Sequence, residues 1–228
     1  MKRFLEYVCI GILSAIAISF IFFAVQEILF PTYIATVIID PGHGNMDSGA
    51  VGNGNILEKD LCLSLSKKIG DRIKDLDPTI KVLYTRKDDD IDSSDEAKNL
   101  QTRIDYGVNQ KGDYFLSIHF NSLEDEKVYG YIGYTKEKDE ISSSIYSYIA
   151  SNFERIGWSK NLHLRYVEQT PLQVVSDNPL PSLLLEVGFM TNSHELERCS
   201  DEKIQDDIAD AIAKAYVKYI QENTVIDE

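Results

Sequence analysis

Apolar positions along the chain change repeatedly between two spacings, which predicts strands and helices in alternation. Short apolar runs typical of buried strands occur at TVIID (36–40), IKVLYT (80–85), YFLSIHF (114–120), VYGYIGYT (128–135), LQVV (172–175) and SLLLEVGF (182–189). Segments with apolar residues every three or four positions predict amphipathic helices at 57–76, 97–110, near 140–155 and at 201–221. This order predicts an α/β fold with a largely parallel sheet covered by helices on both faces.

The N-terminal segment follows a different pattern. Lys2 and Arg3 precede residues 7–25, which carry no charged side chain. As a helix this segment is roughly 28 Å long, close to the thickness of a hydrocarbon core. Bulky residues at 20–23 stand where signal peptidase requires small ones, so we expect residues 1–30 to form an uncleaved signal anchor and transmembrane helix. Residues 31–228 then form one exported domain; a cleaved signal peptide is the alternative and also predicts export.

Charge and cysteine content exclude several classes of protein. The chain has 23 lysines and arginines against 37 aspartates and glutamates, a net charge of −14. Such acidity excludes the basic surface with which proteins bind nucleic acid or anionic lipid headgroups. Cys9, Cys62 and Cys199 are too few and too scattered to predict a disulfide framework. Any metal site must therefore use histidine and carboxylate ligands.

Four polar residues occupy unusual places in this pattern. His43 follows the first strand, Glu58 begins the next helix, His119 lies near the end of YFLSIHF, and Glu186 interrupts SLLLEVGF. The ends of parallel strands and the starts of the following helices line one crevice, so these side chains can meet. Two histidines and one glutamate form a known catalytic zinc set with an open fourth position. A further carboxylate can then transfer protons during metal-assisted hydrolysis.

Each of these residues also has an ordinary structural interpretation. A single histidine on a strand is often a hydrogen-bonded core residue. Glu58 alone is a first-turn acid favoured by the helix dipole. Glu186 alone could pair with Arg86 or Arg103. The combination of the four favours the metal site.

The two remaining histidines are not assigned to a site. His163 has no neighbouring pattern that indicates chemistry. His194 lies in TNSHELE, where Asn192 and Glu195 are spaced as in a capping box and predict the start of a helix. We therefore interpret both histidines as structural.

Four segments occur in an order that resembles the zinc-dependent N-acetylmuramoyl-L-alanine amidases (Amidase_3), enzymes that remove stem peptides from peptidoglycan. They are IDPGHGNMDSGAVGNGNILEKD, LYTRKDD, LQTRIDYGVNQKGDYFLSIHFNS and PSLLLEVGFMTNSHE. The resemblance covers about residues 36–221. It implies that His43, Glu58 and His119 bind one zinc ion and that Glu186 is the catalytic acid/base. It also implies a mixed sheet of about six strands flanked by helices.

Residues around this set have expected supporting roles. Asp40 or Asn121 is expected either to hydrogen-bond to the ligand histidines without binding the metal itself or to bind substrate. Gly42 and Gly44 let the backbone pass close to the metal and the substrate. Phe120 stands where the family often has a small residue, and we expect it to narrow the cleft.

The resemblance also bears on the biological role. We find neither the wall-binding repeats common in wall-lytic members of the family nor an inserted blocking helix, for which residues 119–186 leave little space. A short, anchored catalytic domain of this kind resembles the sporulation amidases that prepare muramic-δ-lactam in spore cortex. Peptidoglycan and the membrane are then the expected partners, without nucleic acid. The alternatives are a zinc peptidase acting within the stem peptide and an inactive, anchored wall-binding protein. The tyrosine-rich segment 128–135 either forms an exposed edge that binds an activating protein or packs inside the sheet.

Overall fold

The computed structural model describes residues 16–22, 32–89 and 96–224, and the chain divides into two units, Met1–Ile34 and Ala35–Glu228. In the first unit, residues 16–22 are helical and expose large apolar side chains such as Phe20. The predicted membrane segment 7–25 lies mostly outside the described residues. Within the described ranges, no helix is both long and apolar enough to cross a bilayer.

The second unit alternates strands with helices. Its strands are β1 (Ala35–Pro41), β2 (Val51–Gly52), β3 (Ile56–Leu57), β4 (Ile80–Tyr84), β5 (Tyr114–Asn121), β6 (Tyr131–Thr135), β7 (Asn161–Tyr166) and β8 (Ser182–Phe189). Its helices are α1 (Glu58–Leu76), α2 (Glu96–Asn109), α3 (Glu140–Ile156), α4 (Gln173–Ser176), α5 (Ser193–Ser200) and α6 (Glu202–Asn223). Strands β2 and β3 form a short antiparallel hairpin directly before α1.

Six strands form the main sheet, in the order β4-β1-β5-β8-β6-β7. All neighbouring strands are parallel except β6 and β8, which are antiparallel. The predicted α/β domain with a mixed, mostly parallel six-stranded sheet is therefore confirmed. The carboxyl ends of β1, β5 and β8 lie side by side at the centre, because β5 pairs with both other strands.

The two faces of the sheet carry different helices. Helices α1, α3 and α6 pack on one face over a large apolar core that includes Ile39, Ile118 and Leu185. Helices α2 and α4 cover the other face, where Ile38 and Leu184 belong to a smaller core. Because side chains alternate along a strand, Asp40, His119 and Glu186 project on this second face. We call it the catalytic face.

One strand prediction is wrong, and one strand was not predicted. LQVV was predicted as a strand from its valines, but Gln173–Ser176 is the single-turn helix α4, whose Val174 and Val175 are buried against the smaller core. The segment Asn161–Tyr166 is instead the edge strand β7. Local propensity favoured the valines, whereas contacts with distant strands decide both segments.

The C-terminal helices agree with the sequence, whereas the tyrosine-rich strand requires a correction. The helix predicted at 201–221 is α6, whose N-cap Asp201 accepts a hydrogen bond from the Ile204 amide, and the helix predicted to start near Asn192 is α5. Strand β6 lies between β8 and β7, and Tyr131 and Tyr134 are buried. The proposal of an exposed partner-binding edge at VYGYIGYT is therefore wrong. Cys62 and Cys199 are free thiols, and Cys9 lies outside the described residues.

Candidate metal centre and active site

Three potential metal ligands meet at the carboxyl ends of β1 and β5. His43 Nε2 lies 2.9 Å from Glu58 Oε1, and His119 Nδ1 lies 3.2 Å from each of those two atoms. Tetrahedral zinc with bonds of about 2.0–2.1 Å separates its ligand atoms by roughly 3.3 Å. The triangle formed by these atoms thus has nearly the size and the donor set of a zinc site. A fourth position remains open for substrate or water.

Glycines allow these side chains to approach one another. A Cβ on Gly42 would lie 2.4 Å from His119 Cε1, so the imidazole occupies the space of the missing side chain. Gly49 has a φ of +62°, and a Cβ there would lie 2.6 Å from Glu58 Oε2. His43 itself has a φ of 59°, in the left-handed region that only a well-held loop imposes on such a residue.

Charged and polar neighbours set the protonation of the ligand histidine His43. Its Nδ1 contacts Asp47 Oδ2 at 2.7 Å, which leaves Nε2 directed at Glu58. Burial alone would lower the pKa of His43, but hydrogen bonds to the carboxylates of Glu58 and Asp47 raise that pKa to about 8. A proton and a metal ion would compete for Nε2, so binding of a metal there would release a proton.

Glu58 is held as a carboxylate although it is 4% exposed. Its Oε1 accepts a hydrogen bond from the Phe120 amide at 3.0 Å, and its Oε2 accepts one from the Ala50 amide at 2.9 Å. Burial would raise the pKa of Glu58, but the two histidines hold it well below its usual range. Glu58 therefore supplies negative charge at one corner of the triangle.

Glu186 stands beside this set on the neighbouring strand. Its Cα is paired with that of His119 across β5 and β8. Glu186 Oε2 is buried and has no hydrogen-bond partner within the described part of the chain. Burial, which His119 partly offsets, raises the pKa of Glu186 to about 7. A carboxyl group with this pKa can both accept and donate a proton at neutral pH.

Two buried arginines hold the loop that carries His43. Arg86 donates to the carbonyls of Pro41 at 3.0 Å and Gly42 at 2.7 Å, and Arg103 donates to those of Pro41 at 2.8 Å and His43 at 2.6 Å. Neither guanidinium is hydrogen-bonded to Glu186, so the alternative pairing of Glu186 with Arg86 or Arg103 is wrong.

Asp40 has a different partner from the one expected. It accepts hydrogen bonds from Thr85, Arg103 and Ser117 at 2.5, 2.7 and 2.7 Å. Burial would raise the pKa of Asp40, but the charge of Arg103 and these bonds hold it below its usual value. Asp40 thus orients Arg103, and reaches His43 only through that arginine.

Asn121 and Phe120 also differ from expectation. Asn121 Oδ1 accepts from the Ser122 amide at 2.7 Å and caps the end of β5 rather than holding a histidine, while its role in substrate binding stays a prediction. Phe120 is buried in the larger core, because it points to the face opposite His119, and does not narrow the cleft. Asp47 is the carboxylate that hydrogen-bonds to His43. The sequence pattern that could have predicted this contact is an aspartate four residues after a histidine in a glycine-rich loop.

The histidines left unassigned lie apart from this cluster of ligands. His163 is exposed on β7, with a φ of 70°. His194 lies in the first turn of α5, where Asn192 Oδ1 accepts from the Glu195 amide at 3.1 Å, as the capping pattern predicts. The Glu195 side chain instead turns inward and accepts from the amides of Gly130 and Phe189 at 2.9 and 2.8 Å.

A cavity of about 180 Å³ opens beside the candidate ligands. His43, Asp47 and His119 line one part of it. Its other lining residues are Asp40 on β1, Asn99, Leu100 and Arg103 on α2, Leu172, Gln173 and Val174 at the start of α4, and Leu184 on β8. The cavity therefore offers apolar surface next to the histidines, as a small acyl or methyl group would require.

Replacing Glu186 with glutamine tests its unfavourable burial. In the metal-free protein its carboxyl has a raised pKa, so its contribution to stability is present below about pH 4.5 and is lost as the pH rises through about 7. Metal-free Glu186→Gln is therefore expected to be more stable than the unsubstituted protein at pH 8, by about 2 kcal/mol. Urea unfolding in chelator at pH 4.5 and pH 8 measures this. Equal stabilities at pH 8 would show that Glu186 is not desolvated.

Removing Arg103 tests how the His43 loop is held. Arg103→Met leaves Asp40 buried without its cation, and we expect a loss of about 3–5 kcal/mol in the free energy of unfolding. Arg155→Met, at an exposed position on α3, is the matched control and should change stability by less than about 1 kcal/mol. Denaturant titration of both variants decides the point, and similar small losses would mean that the Asp40–Arg103 pair is dispensable.

Comparisons with known proteins agree with this site. The N-acetylmuramoyl-L-alanine amidase family (Amidase_3) matches residues 37–218. The germination-specific N-acetylmuramoyl-L-alanine amidase of Bacillus subtilis is 28% identical over 82% of this chain and 80% of its own length. The protein YqiI of Bacillus subtilis is 32% identical over 81% of this chain and 84% of its own length.

A solved structure shares the fold as well. The CwlD amidase from Clostridioides difficile, in complex with the GerS lipoprotein, superposes with a TM-score of 0.73 at 28% identity. The match covers 83% of this chain and 100% of that one. The family match extends over most of the residues that form the sheet and its helices, and it includes His43, Glu58, His119 and Glu186. The chain therefore belongs to the N-acetylmuramoyl-L-alanine amidase family.

Proposed function

We propose that this amidase uses one zinc ion, held by His43, Glu58 and His119, to hydrolyse the amide bond between the lactyl group of N-acetylmuramic acid and L-alanine. Glu186 is the catalytic acid/base. The observation that carries the proposal is the triangle of ligand atoms, 2.9–3.2 Å on each side, next to Glu186, whose Oε2 is buried without a hydrogen-bond partner in the described part of the chain. Zinc bound there would supply a Lewis acid that polarises the scissile carbonyl and acidifies water.

The protein groups perform the proton transfers. Glu186 takes a proton from the water that attacks the lactyl carbonyl, and passes it to the nitrogen of L-alanine as the C–N bond breaks. The products are a free lactyl carboxylate on the sugar and a peptide with a free amino terminus. The raised pKa of Glu186, about 7, supports both transfers at neutral pH.

Asp47 and the arginines keep the ligands in place during this reaction. Asp47 accepts from His43 Nδ1, which makes Nε2 the atom available to the metal. Arg86 and Arg103 fix the backbone carbonyls on both sides of Gly42, so His43 keeps its orientation when the proton on its ring is lost. This arrangement supports a preorganised metal site.

We also propose that the enzyme acts in spore cortex maturation, where removal of stem peptides leads to muramic-δ-lactam. Its similarity to a germination-specific amidase supports this role. A membrane anchor formed by residues 1–30, with an exported catalytic domain at 31–228, would hold the active site next to the cortex. The apolar side chains exposed at residues 16–22 support the anchor.

A protein partner is a further part of the proposal. The CwlD amidase is found in complex with the GerS lipoprotein, which supports an exported partner for this chain as well. Full activity of the isolated domain on cell wall, with nothing added, would remove the reason for such a partner.

Product analysis tests the proposed reaction. Residues 31–228 with zinc should release stem peptides that begin with L-alanine, and mass spectrometry should find an intact lactyl carboxylate on the glycan. Glu186→Gln should lower the rate by at least about 100-fold while zinc stays bound, because only the proton transfer is lost. His119→Ala should lose both activity and zinc. Cleavage inside the stem peptide would instead identify a peptidase, and zinc-loaded protein without any cleavage would indicate a binding protein.

Asp47 offers a test of the metal site that does not depend on activity. Asp47→Asn removes the charge behind His43 and is expected to weaken zinc affinity by about 10–100-fold. Competition with a chromogenic chelator measures the affinity directly. The control Asp207→Asn lies on the exposed side of α6 and should bind zinc as the unsubstituted protein does. Equal zinc affinity of both variants would exclude a role for Asp47 in orienting His43.

A further inference from the structure

The cavity beside the candidate ligands has two carboxamide residues in its lining that the proposed mechanism does not use. Asn99 lies in the first turn of α2, and Gln173 is the first residue of α4. Both line the same cavity as His43 and His119. A substrate group that enters this cavity therefore lies next to the side chains that would hold the metal, within the walls to which both carboxamide residues belong.

A hydrogen bond fixes the orientation of the Asn99 carboxamide. Asn99 Oδ1 lies 3.0 Å from Arg103 Nε, and because a guanidinium can only donate, the oxygen must be the atom that faces Arg103. The amide nitrogen Nδ2 is then left over, and within the described ranges it has no hydrogen-bond partner. Asn99 is therefore a donor that a ligand in the cavity can satisfy.

The carboxamide of Gln173 is half-buried and has neither of its groups paired. Within residues 16–22, 32–89 and 96–224, its oxygen accepts no hydrogen bond and its nitrogen donates none. A ligand that covers such a carboxamide removes it from water, which is unfavourable unless the ligand replaces the lost hydrogen bonds. Gln173 therefore favours a ligand with polar groups of its own over a purely apolar one.

Aliphatic side chains form the other walls of this part of the cavity. Leu184 is two residues before Glu186 on β8, so the two side chains project on the same face of the sheet. Val174 is buried with Leu184 in the smaller core, against which Leu100 and Leu172 also pack. A methyl group that lies against these side chains is removed from water, which is favourable.

The charged side chains in the lining are already paired with each other. Arg103 Nη1 lies 2.7 Å from Asp40 Oδ1, and Asp47 contacts His43. Arg103 is the only lysine or arginine among the described residues that line the cavity. A substrate carboxylate would therefore find no unpaired cationic side chain here, whereas a neutral amide meets neutral carboxamides and an aliphatic wall.

One group of the proposed substrate combines these requirements. The acetamido group of N-acetylmuramic acid has an N–H donor, a carbonyl acceptor and a terminal methyl group. It is attached to the sugar carbon next to the one that carries the lactyl ether, so it lies close to the scissile bond. The methyl group of L-alanine is the other small apolar group near that bond, but it would leave both carboxamides unpaired.

We propose that this cavity binds the acetamido group of N-acetylmuramic acid and makes the enzyme select N-acetylated substrates. Asn99 Nδ2 donates to the acetyl carbonyl, Gln173 Oε1 accepts from the acetamido N–H, and the methyl group packs against Leu184. The inference rests on the proposed amidase function. The two carboxamides act in binding and orientation of the sugar and take no part in the proton transfers.

Two muropeptides test the proposal, one with the acetamido group and one with a hydroxyl in its place. Both groups are neutral, so the comparison changes no charge. The unsubstituted enzyme is expected to cleave the acetylated substrate with a kcat/KM at least about tenfold higher, because the hydroxyl analogue leaves polar groups of the cavity unpaired. Gln173→Leu should lose about tenfold in kcat/KM on the acetylated substrate and less than about twofold on the analogue.

A matched control and a third substrate complete the experiment. Gln110 is exposed just after the end of α2 and does not line the cavity, so Gln110→Leu should cleave every substrate as the unsubstituted enzyme does. The third substrate has glycine in place of L-alanine and tests whether the alanine methyl occupies the cavity instead. We expect the preference for the acetamido group, and the effect of Gln173→Leu, to persist with glycine. Thermal unfolding of each variant checks that the fold is intact.

The outcomes separate this inference from the function it rests on. If the unsubstituted enzyme cleaves none of the substrates, the proposed function itself is wrong. If it cleaves the acetylated substrate and the hydroxyl analogue equally well, the inference is wrong and the function stands. An equal loss by Gln173→Leu on both substrates would also overturn the inference, because it would show a structural effect. The same holds if the effect of Gln173→Leu disappears with glycine, because the cavity would then hold the alanine methyl.

Discussion

The active site depends on hydrogen bonds from two buried arginines to three consecutive backbone carbonyls. Arg86 and Arg103 donate to Pro41, Gly42 and His43, at the point where β1 ends. A loop with a glycine and a left-handed histidine has little conformational preference of its own, so these bonds determine where His43 points. Asp40 completes the arrangement, because it neutralises Arg103 inside the protein.

Local electrostatics give Glu58 and Glu186 different protonation states and therefore different roles. Glu58 accepts hydrogen bonds from two backbone amides and contacts two histidines. Its carboxyl group therefore remains ionised, as a metal ligand must be. Glu186 has neighbouring charges but no hydrogen bond to Oε2, and its pKa rises to about 7. The two carboxyl groups thus acquire different chemistry, because backbone donors reach Glu58 and not Oε2 of Glu186.

The sequence predicts the four candidate site residues better than it predicts the residues that hold them in place. Strand ends and a helix start could be read from hydrophobic periodicity, and these positions bring His43, Glu58, His119 and Glu186 together. Asp47 was missed because its contact with His43 depends on the φ angles of the glycine-rich loop. The partner of Asp40 was missed because Arg103 lies 63 positions away, where no local pattern reaches.

The fold shows the same limit. The valines of LQVV favour a strand locally, yet burial against Leu184 makes a helical turn there. NLHLRY has the alternation of a strand, but its bulge breaks the period at His163. Both segments are determined by distant parts of the sheet.

We expect His43, Glu58 and His119 to bind one zinc ion, with Glu186 outside its coordination sphere. Crystals of the zinc-loaded domain, measured on both sides of the zinc absorption edge, test this most directly. We expect a single anomalous peak about 2.0–2.2 Å from one nitrogen of each histidine and an oxygen of Glu58. The Glu186 carboxylate should lie outside bonding distance. A peak elsewhere, or one bound by Glu186 in place of Glu58, would show that the assignment of the ligands is wrong.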